Sequence, residues 1–455
     1  MNSDYSNTNI RQTFLRYTIP SVVAMLVSGL YQIVDGFFIG RFIGFEGLAG
    51  INLIWPVICL ISAVGVMIGL GCGSLISINR GQGNLATAKQ TLFTGIGLLF
   101  MFGLLTVVIT FLVSPSILVA QGASQQTLLY SMQYAEICTL GAVFSISATA
   151  MPLLIRNLES PKIATSLLIV GAVINIILDY LFIAQWQWGL KGAALATVIA
   201  QLIVMACSLL FFFSSYSSMR LGLSSLTFSV TRAIKITKLG ASTLIMYLYI
   251  SFVVALHNWL FMKYGSPVDV GAFAIVGYLM SLYYLLVEGV AEGIQPPVSY
   301  FFGANQNDNI QKILKLAIKV VIVSGVIWLL MLNLFPTAII SLFNGTDAEL
   351  VNKTQNGVQL HLLTLFLDGF FVIATVYFLA INQGAKALMI SVGNMLVQIP
   401  FLIILPQWLG INGIWLALPL SNIALFLIVA PMLWKDIQER CRQDQAQRFA
   451  VVTDL

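Results

Sequence analysis

The sequence predicts an all-α polytopic membrane protein, with twelve transmembrane helices in two six-helix bundles that repeat one another in parallel. Three observations carry this. The residues are 59% hydrophobic and 9% charged, with a mean hydropathy of +0.94, whereas a soluble domain carries about 25% charged residues. Apolar stretches of about 20 residues, the length a helix needs to cross hydrocarbon, recur twelve times. A glycine pattern near the end of the first six stretches returns near the end of the second six.

The spans lie near 14–38, 49–76, 91–114, 131–154, 162–184, 189–214, 239–263, 271–300, 313–335, 357–381, 387–406 and 411–434. Helices are expected because lipid offers backbone groups no hydrogen-bond partners. The basic residues test the count. With the N-terminus cytoplasmic, only Arg41, Lys191, Lys263 and Lys353 of the 22 Lys and Arg fall in outer loops. This is the bias expected of cytoplasmic loops, so both termini are read as cytoplasmic. The net charge of +5 is then a topology signal. No basic face interleaved with aromatics suggests a nucleic-acid partner.

Other classes find little support. Cys59, Cys72, Cys138 and Cys207 lie in apolar runs and Cys441 in the polar tail, which suggests neither a disulfide frame nor a metal site. The only histidines are His257 and His361, with no CxxC or HExxH motif nearby. That leaves a membrane-embedded metalloprotease or rhomboid-like enzyme without its residues, so no enzyme activity is expected. The halves contain no filter-like sequence for a channel. The first apolar run is too long for a signal-peptide core.

Residues 1–213 are expected to form an N-lobe and 214–238 a cytoplasmic link. Residues 239–434 form a C-lobe and 435–455 a cytoplasmic tail. GLKGAALA at 189–196 corresponds to GINGIWLA at 410–417, an offset of 221, and GCGSLISINRG at 71–81 corresponds loosely to 293–303. Small residues recur wherever helices pack closely, but recurrence at one place in each half points to a duplicated unit. Both halves start on the same side, so the axis relating them runs along the membrane normal. Such pairs usually bind substrate between the halves.

Asp35 closes a nearly charge-free stretch that starts at Tyr17, although a charge at the centre of a membrane helix costs about 2.5–3.5 kcal/mol on insertion scales. Counted from Arg41, Trp188 and Gly189, the residues Asp35, Asp179 and Thr197 lie roughly 9–14 Å below the outer boundary. They share a layer. Tyr31 lies one turn from Asp35, and Asn175 one turn from Asp179, each pair on one helix face. No Lys or Arg falls at hydrocarbon depth in the first six spans. A group that is neutral when dry and charged when wet can carry protons. Packing or ordinary interhelical hydrogen bonding is the plainer alternative for each. Pro20, fifteen residues before Asp35, removes one backbone hydrogen bond and permits a kink, static or mobile.

Twelve spans in two such halves, an amphipathic link, the early Asp of the first span and RGQGNLATAK after the second together resemble the multidrug and toxic compound extrusion (MATE) transporters, over nearly the whole chain. NIILD at 175–179 resembles the fifth-span motif of the DinF-like branch. The resemblance implies a V-shaped transporter in a bacterial inner (plasma) membrane. It would export cationic or amphiphilic xenobiotics, antibiotics among them, by alternating access, as a monomer with no organic cofactor. Asp35, Asn175, Asp179 and Thr197 match the branch's N-lobe coupling site, and Pro20 matches a proline associated with bending of the first span. The coupling ion is expected to be H+, with Na+ the alternative. Tyr31 and Phe37 are expected to line the substrate wall.

The second half differs chemically. The offset carries Asp179 onto Pro400 and Asp35 near His257, so neither acid is repeated. This half has Glu288 and Glu292 one turn apart, and Asp368 deep in the tenth span. Some MATE proteins bind a cation there with a seventh-span acid and a tenth-span Asp. Asp368 matches the latter, but residues 239–263 contain no acid. A secondary site of Asp368, Glu288, Glu292 and His257 stands against a packing role for each. Glu136 has no assigned part. A lipid or lipid-linked oligosaccharide flippase of the same superfamily is the nearest rival, but its anionic headgroup would call for basic residues in the cavity.

Overall fold

The computed structural model describes residues 9–120, 125–222, 227–336, 338–340 and 348–453. Parts of the expected link (223–226) and tail (454–455) lie outside the described residues. The first six spans are built from α1 (Ile10–Phe42), α2 (Phe45–Gly81), α3 (Leu85–Ala120), α4 (Gln125–Leu140), α5 (Ala142–Asn157), α6 (Pro161–Asp179) and α7 (Gly189–Phe213). The second six use α8 (Val230–Tyr264), α9 (Pro267–Gly303), α10 (Asn307–Leu334), α11 (Ala348–His361), α12 (Leu365–Ala380), α13 (Gly384–Leu409) and α14 (Ile411–Thr453). Ten of these are long and apolar enough to cross a membrane, and two bent pairs bring the number to twelve. The last residues of the expected link, from Val230, are already the first turns of α8.

The bent pairs modify the sequence expectation in the same place in each half. The fourth span breaks between α4 and α5 with a 60° bend, and the tenth between α11 and α12 with a 51° bend. Each break strands backbone groups that need partners. At the first, Phe144 N–H bonds the Gly141 carbonyl at 2.9 Å. At the second, Leu367 N–H bonds the Thr364 carbonyl at 2.8 Å, and Asn422 Nδ2 donates to Thr364 Oγ1 at 3.2 Å.

The recurring GxxGxxxA pattern has a physical cause. Gly189 and Gly410 sit at φ 61° and 58°, in the left-handed region that glycine enters without steric cost. Each starts the helix that follows a tight return. Three residues on, a Cβ at Gly192 would lie 3.2 Å from the Phe182 carbonyl carbon, and one at Gly413 would lie 2.3 Å from the Leu405 oxygen. The returning helix thus packs directly on its predecessor's backbone. The second repeated motif behaves alike: a Cβ at Gly71 would meet the Ile236 oxygen at 2.4 Å, and one at Gly293 would meet Thr18 Cα at 2.7 Å.

The chain divides into two compact units, Ile19–Leu248 and Met1–Thr18 with Tyr249–Leu455. It passes between them inside α1 and inside α8. Among the unbroken spans of the first unit α2 is the most enclosed, with 61% of its most apolar window buried, against 11% for α1. The expected cytoplasmic end of α2 is tied down by polar groups: Ser77 Oγ donates to Asn157 Oδ1 at 2.6 Å, and Arg80 donates to the Asn157 carbonyl at 2.6 Å and pairs with Glu159. In the second unit, buried Asp436 on α14 accepts from Tyr377 Oη (2.8 Å), Gln383 Nε2 (3.0 Å), Lys386 Nζ (3.0 Å) and Arg440 Nε (2.8 Å). Asp269 closes a capping box with Ser266 at the start of α9 and receives Lys353 from α11 at 2.9 Å.

Candidate functional site

The first unit gathers its buried acid at the C-terminal end of α6. Asp179, the last residue of α6, is fully buried, and neither carboxylate oxygen has a hydrogen-bond partner. Immediately after it the helix widens into a π segment, Tyr180–Gln185, a distortion that recurs at functional sites. Asn175, one turn earlier on the same face, is 2% exposed. Its Nδ2 donates to Thr197 Oγ1 of α7 at 3.3 Å, while its Oδ1 is buried without a partner. Asp35 of α1 is half-buried, with Oδ1 enclosed and unpartnered. It lies within electrostatic reach of Asp179, and Tyr31 lies within reach of both.

Two residues that the sequence did not single out complete the cluster. Tyr134 of α4 is 4% exposed and shares hydrogen bonds with Thr197 and with Cys138, one turn along α4. Both face Asp35 electrostatically. Tyr134 lies near the start of the fourth span, the end expected to face outward, where counting could have flagged it. Glu136, between them, is exposed. Phe37 is 65% exposed and meets Phe38 edge-on. It points two residues away from the face that carries Asp35.

This geometry leaves four enclosed oxygens unpartnered: both of Asp179 and one each of Asp35 and Asn175. Thr197 links Asn175 to Tyr134. Burying a polar group without a hydrogen bond costs free energy, and burying an unpaired charge costs more. Such a set favours whatever supplies positive charge, whether a proton on a carboxyl or a cation among the oxygens.

In the second unit the polar residues separate into two groups. Asp368, 3% exposed on α12, hydrogen-bonds Asn422 of α14 and Tyr284 of α9. Its Oδ2 is unpartnered. Glu288 lies near Tyr284 and Glu292, and Tyr249 Oη donates to Gln398 Oε1 at 2.8 Å nearby. His257 belongs elsewhere. Its ring stacks on Phe273 with centroids 4.9 Å apart, its Nδ1 meets the Val253 carbonyl at 2.8 Å, and His361, Phe261 and Trp415 complete an aromatic nest. His361 Nδ1 in turn meets the Trp415 carbonyl at 3.1 Å. Each Nδ1 thus meets a carbonyl, while His257 Nε2 is buried without a hydrogen-bond partner.

Repeated sets of helices with ten to twelve candidate membrane spans mark a multi-span membrane protein. Comparison with known proteins gives the family. The family model described as MatE matches residues 20–181 and 242–404, most of both halves. The chain belongs to the MatE family of multi-span transporters. Among curated relatives, the multidrug export protein MepA of Staphylococcus aureus (strain MSSA476) is 26% identical over 442 residues, covering 93% of this chain and 94% of that one. The fold is similar to an outward-facing multidrug resistance MATE transporter of the MOP superfamily, with a TM-score of 0.90 at 20% identity over 95% of this chain and 97% of that one. It is also similar to a MATE protein solved in a bent conformation, with a TM-score of 0.88 at 20% identity over 96% and 97% of the two chains.

Proposed function

We propose that the chain is a multidrug efflux antiporter that exports cationic or amphiphilic organic compounds against an inward flow of protons, with Asp35 and Asp179 as the coupling pair. In the charged state the pair attracts a substrate cation or readies the site for it. Protonation from outside neutralises the pair, bends α1 near Pro20 and releases the substrate. The observation that carries this reading is the buried carboxyl pair with unpartnered oxygens and, among the described residues, no salt bridge to either acid. A proton moving inward brings about 2.3 kcal/mol per 100 mV. The staphylococcal relatives named for multidrug export support the substrate class. Tyr31 and Tyr134 supply aromatic wall on the same side of the cluster.

A second reading rests on the same oxygens. Asp35, Asp179, Asn175 and Thr197 form an all-oxygen donor set of the kind hard cations take, which suits Na+ as the coupling ion. Asp368, with its free Oδ2 and neighbouring Glu288, is the candidate for an additional cation in the second half. One experiment separates these readings. Proteoliposomes loaded with a fluorescent organic cation are given an inward pH gradient or an inward Na+ gradient. The proton reading expects the pH gradient to drive efflux and Asp35→Asn to abolish it. Normal coupled efflux by Asp35→Asn ends that reading. Efflux driven by Na+ alone selects the second, and retained coupling in Asp368→Asn assigns Asp368 to packing.

A further inference from the structure

We propose that Thr165 is a positioning residue: its hydroxyl latches α6 to the proline turn of α1, and the coupling pair releases that latch when it gains a proton. The proposal rests on the proton-coupled reading above.

Thr165 lies in the first turns of α6, 7% exposed, and its Oγ1 donates to the Pro20 carbonyl at 2.8 Å. Pro20 sits inside α1, where the ring removes one backbone donor and crowds the preceding turn. Two residues earlier, Thr18 turns its hydroxyl onto the Phe14 carbonyl, a back-bond that favours helix bending. The boundary between the compact units also falls here, between Thr18 and Ile19. A weakened helix and a change of compact unit coincide at one turn. A neighbouring side chain holds that turn.

The same two helices meet again at the coupling pair. Pro20 to Asp35 is fifteen residues and Thr165 to Asp179 fourteen, so at 1.5 Å per residue the intervals run about 21–23 Å. The latch and the pair are therefore two places where α1 faces α6, at opposite ends of nearly equal lengths of helix; only the latch is a hydrogen bond. In its most apolar window only 11% of α1 is buried, against 33% for the span containing α6, so packing alone holds α1 weakly. The titratable groups facing the pair are Tyr31 on α1 and Tyr134 and Cys138 on α4. All are neutral at physiological pH, which leaves the two carboxyls to respond to protons.

The test places an encoded trifluoromethyl-phenylalanine at Ile33, an exposed position on α1 above the proline, in the full chain in lipid nanodiscs. Its fluorine signal is followed through a pH titration without sodium. Wild type is expected to switch between two signals. Thr165→Val, which keeps shape and loses the donor, should move the midpoint to higher pH by about 0.5–1 unit, the equivalent of one net hydrogen bond. Thr165→Ser should restore it, and Thr165→Ala provides a second loss variant. The sign follows because the latch favours the deprotonated, straight helix. A wild-type titration with unchanged midpoints in Thr165→Val and Thr165→Ala overturns the latch alone. A wild-type signal that does not respond to pH overturns the coupled bend, and the latch with it.

Discussion

Asp179 in one unit and Asp436 in the other are both almost completely enclosed, at 0% and 3% exposed, yet they stand at opposite extremes of satisfaction. Asp436 accepts four hydrogen bonds, two of them from Lys386 and Arg440. Asp179 accepts none. A buried charge that is paired and fully bonded is fixed in its state, and removing one partner is costly. A buried carboxyl without partners can gain or lose a proton without dismantling its surroundings. Burial alone therefore does not mark a working acid; the number of donors around it does.

This contrast can be broken most directly at Asp179. Asp179→Asn keeps the shape, so folding should survive while coupling is lost. The roughly fiftyfold substrate gradient that 100 mV can sustain per proton should collapse to none in proteoliposome efflux. Asp436→Asn should do the reverse: it should cost about 3 kcal/mol of stability in detergent unfolding, while the transport that remains keeps its dependence on the proton gradient. A smaller effect tests whether the framework is shared where the chemistry is not. Gly192→Ala and Gly413→Ala should each cost about 1–3 kcal/mol through overpacking, and equal thermal shifts would place both halves under the same constraint. Smallest of all, Thr197→Val removes the link between Asn175 and Tyr134 and should cost about 0.5–1.5 kcal/mol. It should appear as a modest shift in the external pH at half-maximal efflux.

Much of the framework is legible in the sequence because it is written in local patterns. The twelve spans follow from apolar length. The repeat follows from glycines whose spacing reflects backbone contact, and the shared depth of Asp35, Asp179 and Thr197 follows from counting along helices. What stays hidden depends on partners distant in the chain. Tyr134 joins the cluster through its hydrogen bond to Thr197 on α7. Three of the four donors to Asp436 come from far along the chain: Tyr377 on α12, Gln383 in the turn after it and Lys386 on α13. The rings of Phe273, Phe261 and His361 around His257 are brought there by the fold and leave no local pattern in the sequence. The π segment after Asp179 carries no mark that composition reveals, since its residues would suit an ordinary helix equally well.

The left-handed corners of the backbone recur with the halves. Gly83 is matched by Asn305, Glu159 by Asn382, and Gly189 by Gly410, all at φ between 55° and 76°. Connectors with the same local bend are interchangeable parts. A graft that replaces one such corner with its twin from the other half should leave the flanking helices entering and leaving at their old angles, so a chimera could exchange connectors while each half kept its own chemistry.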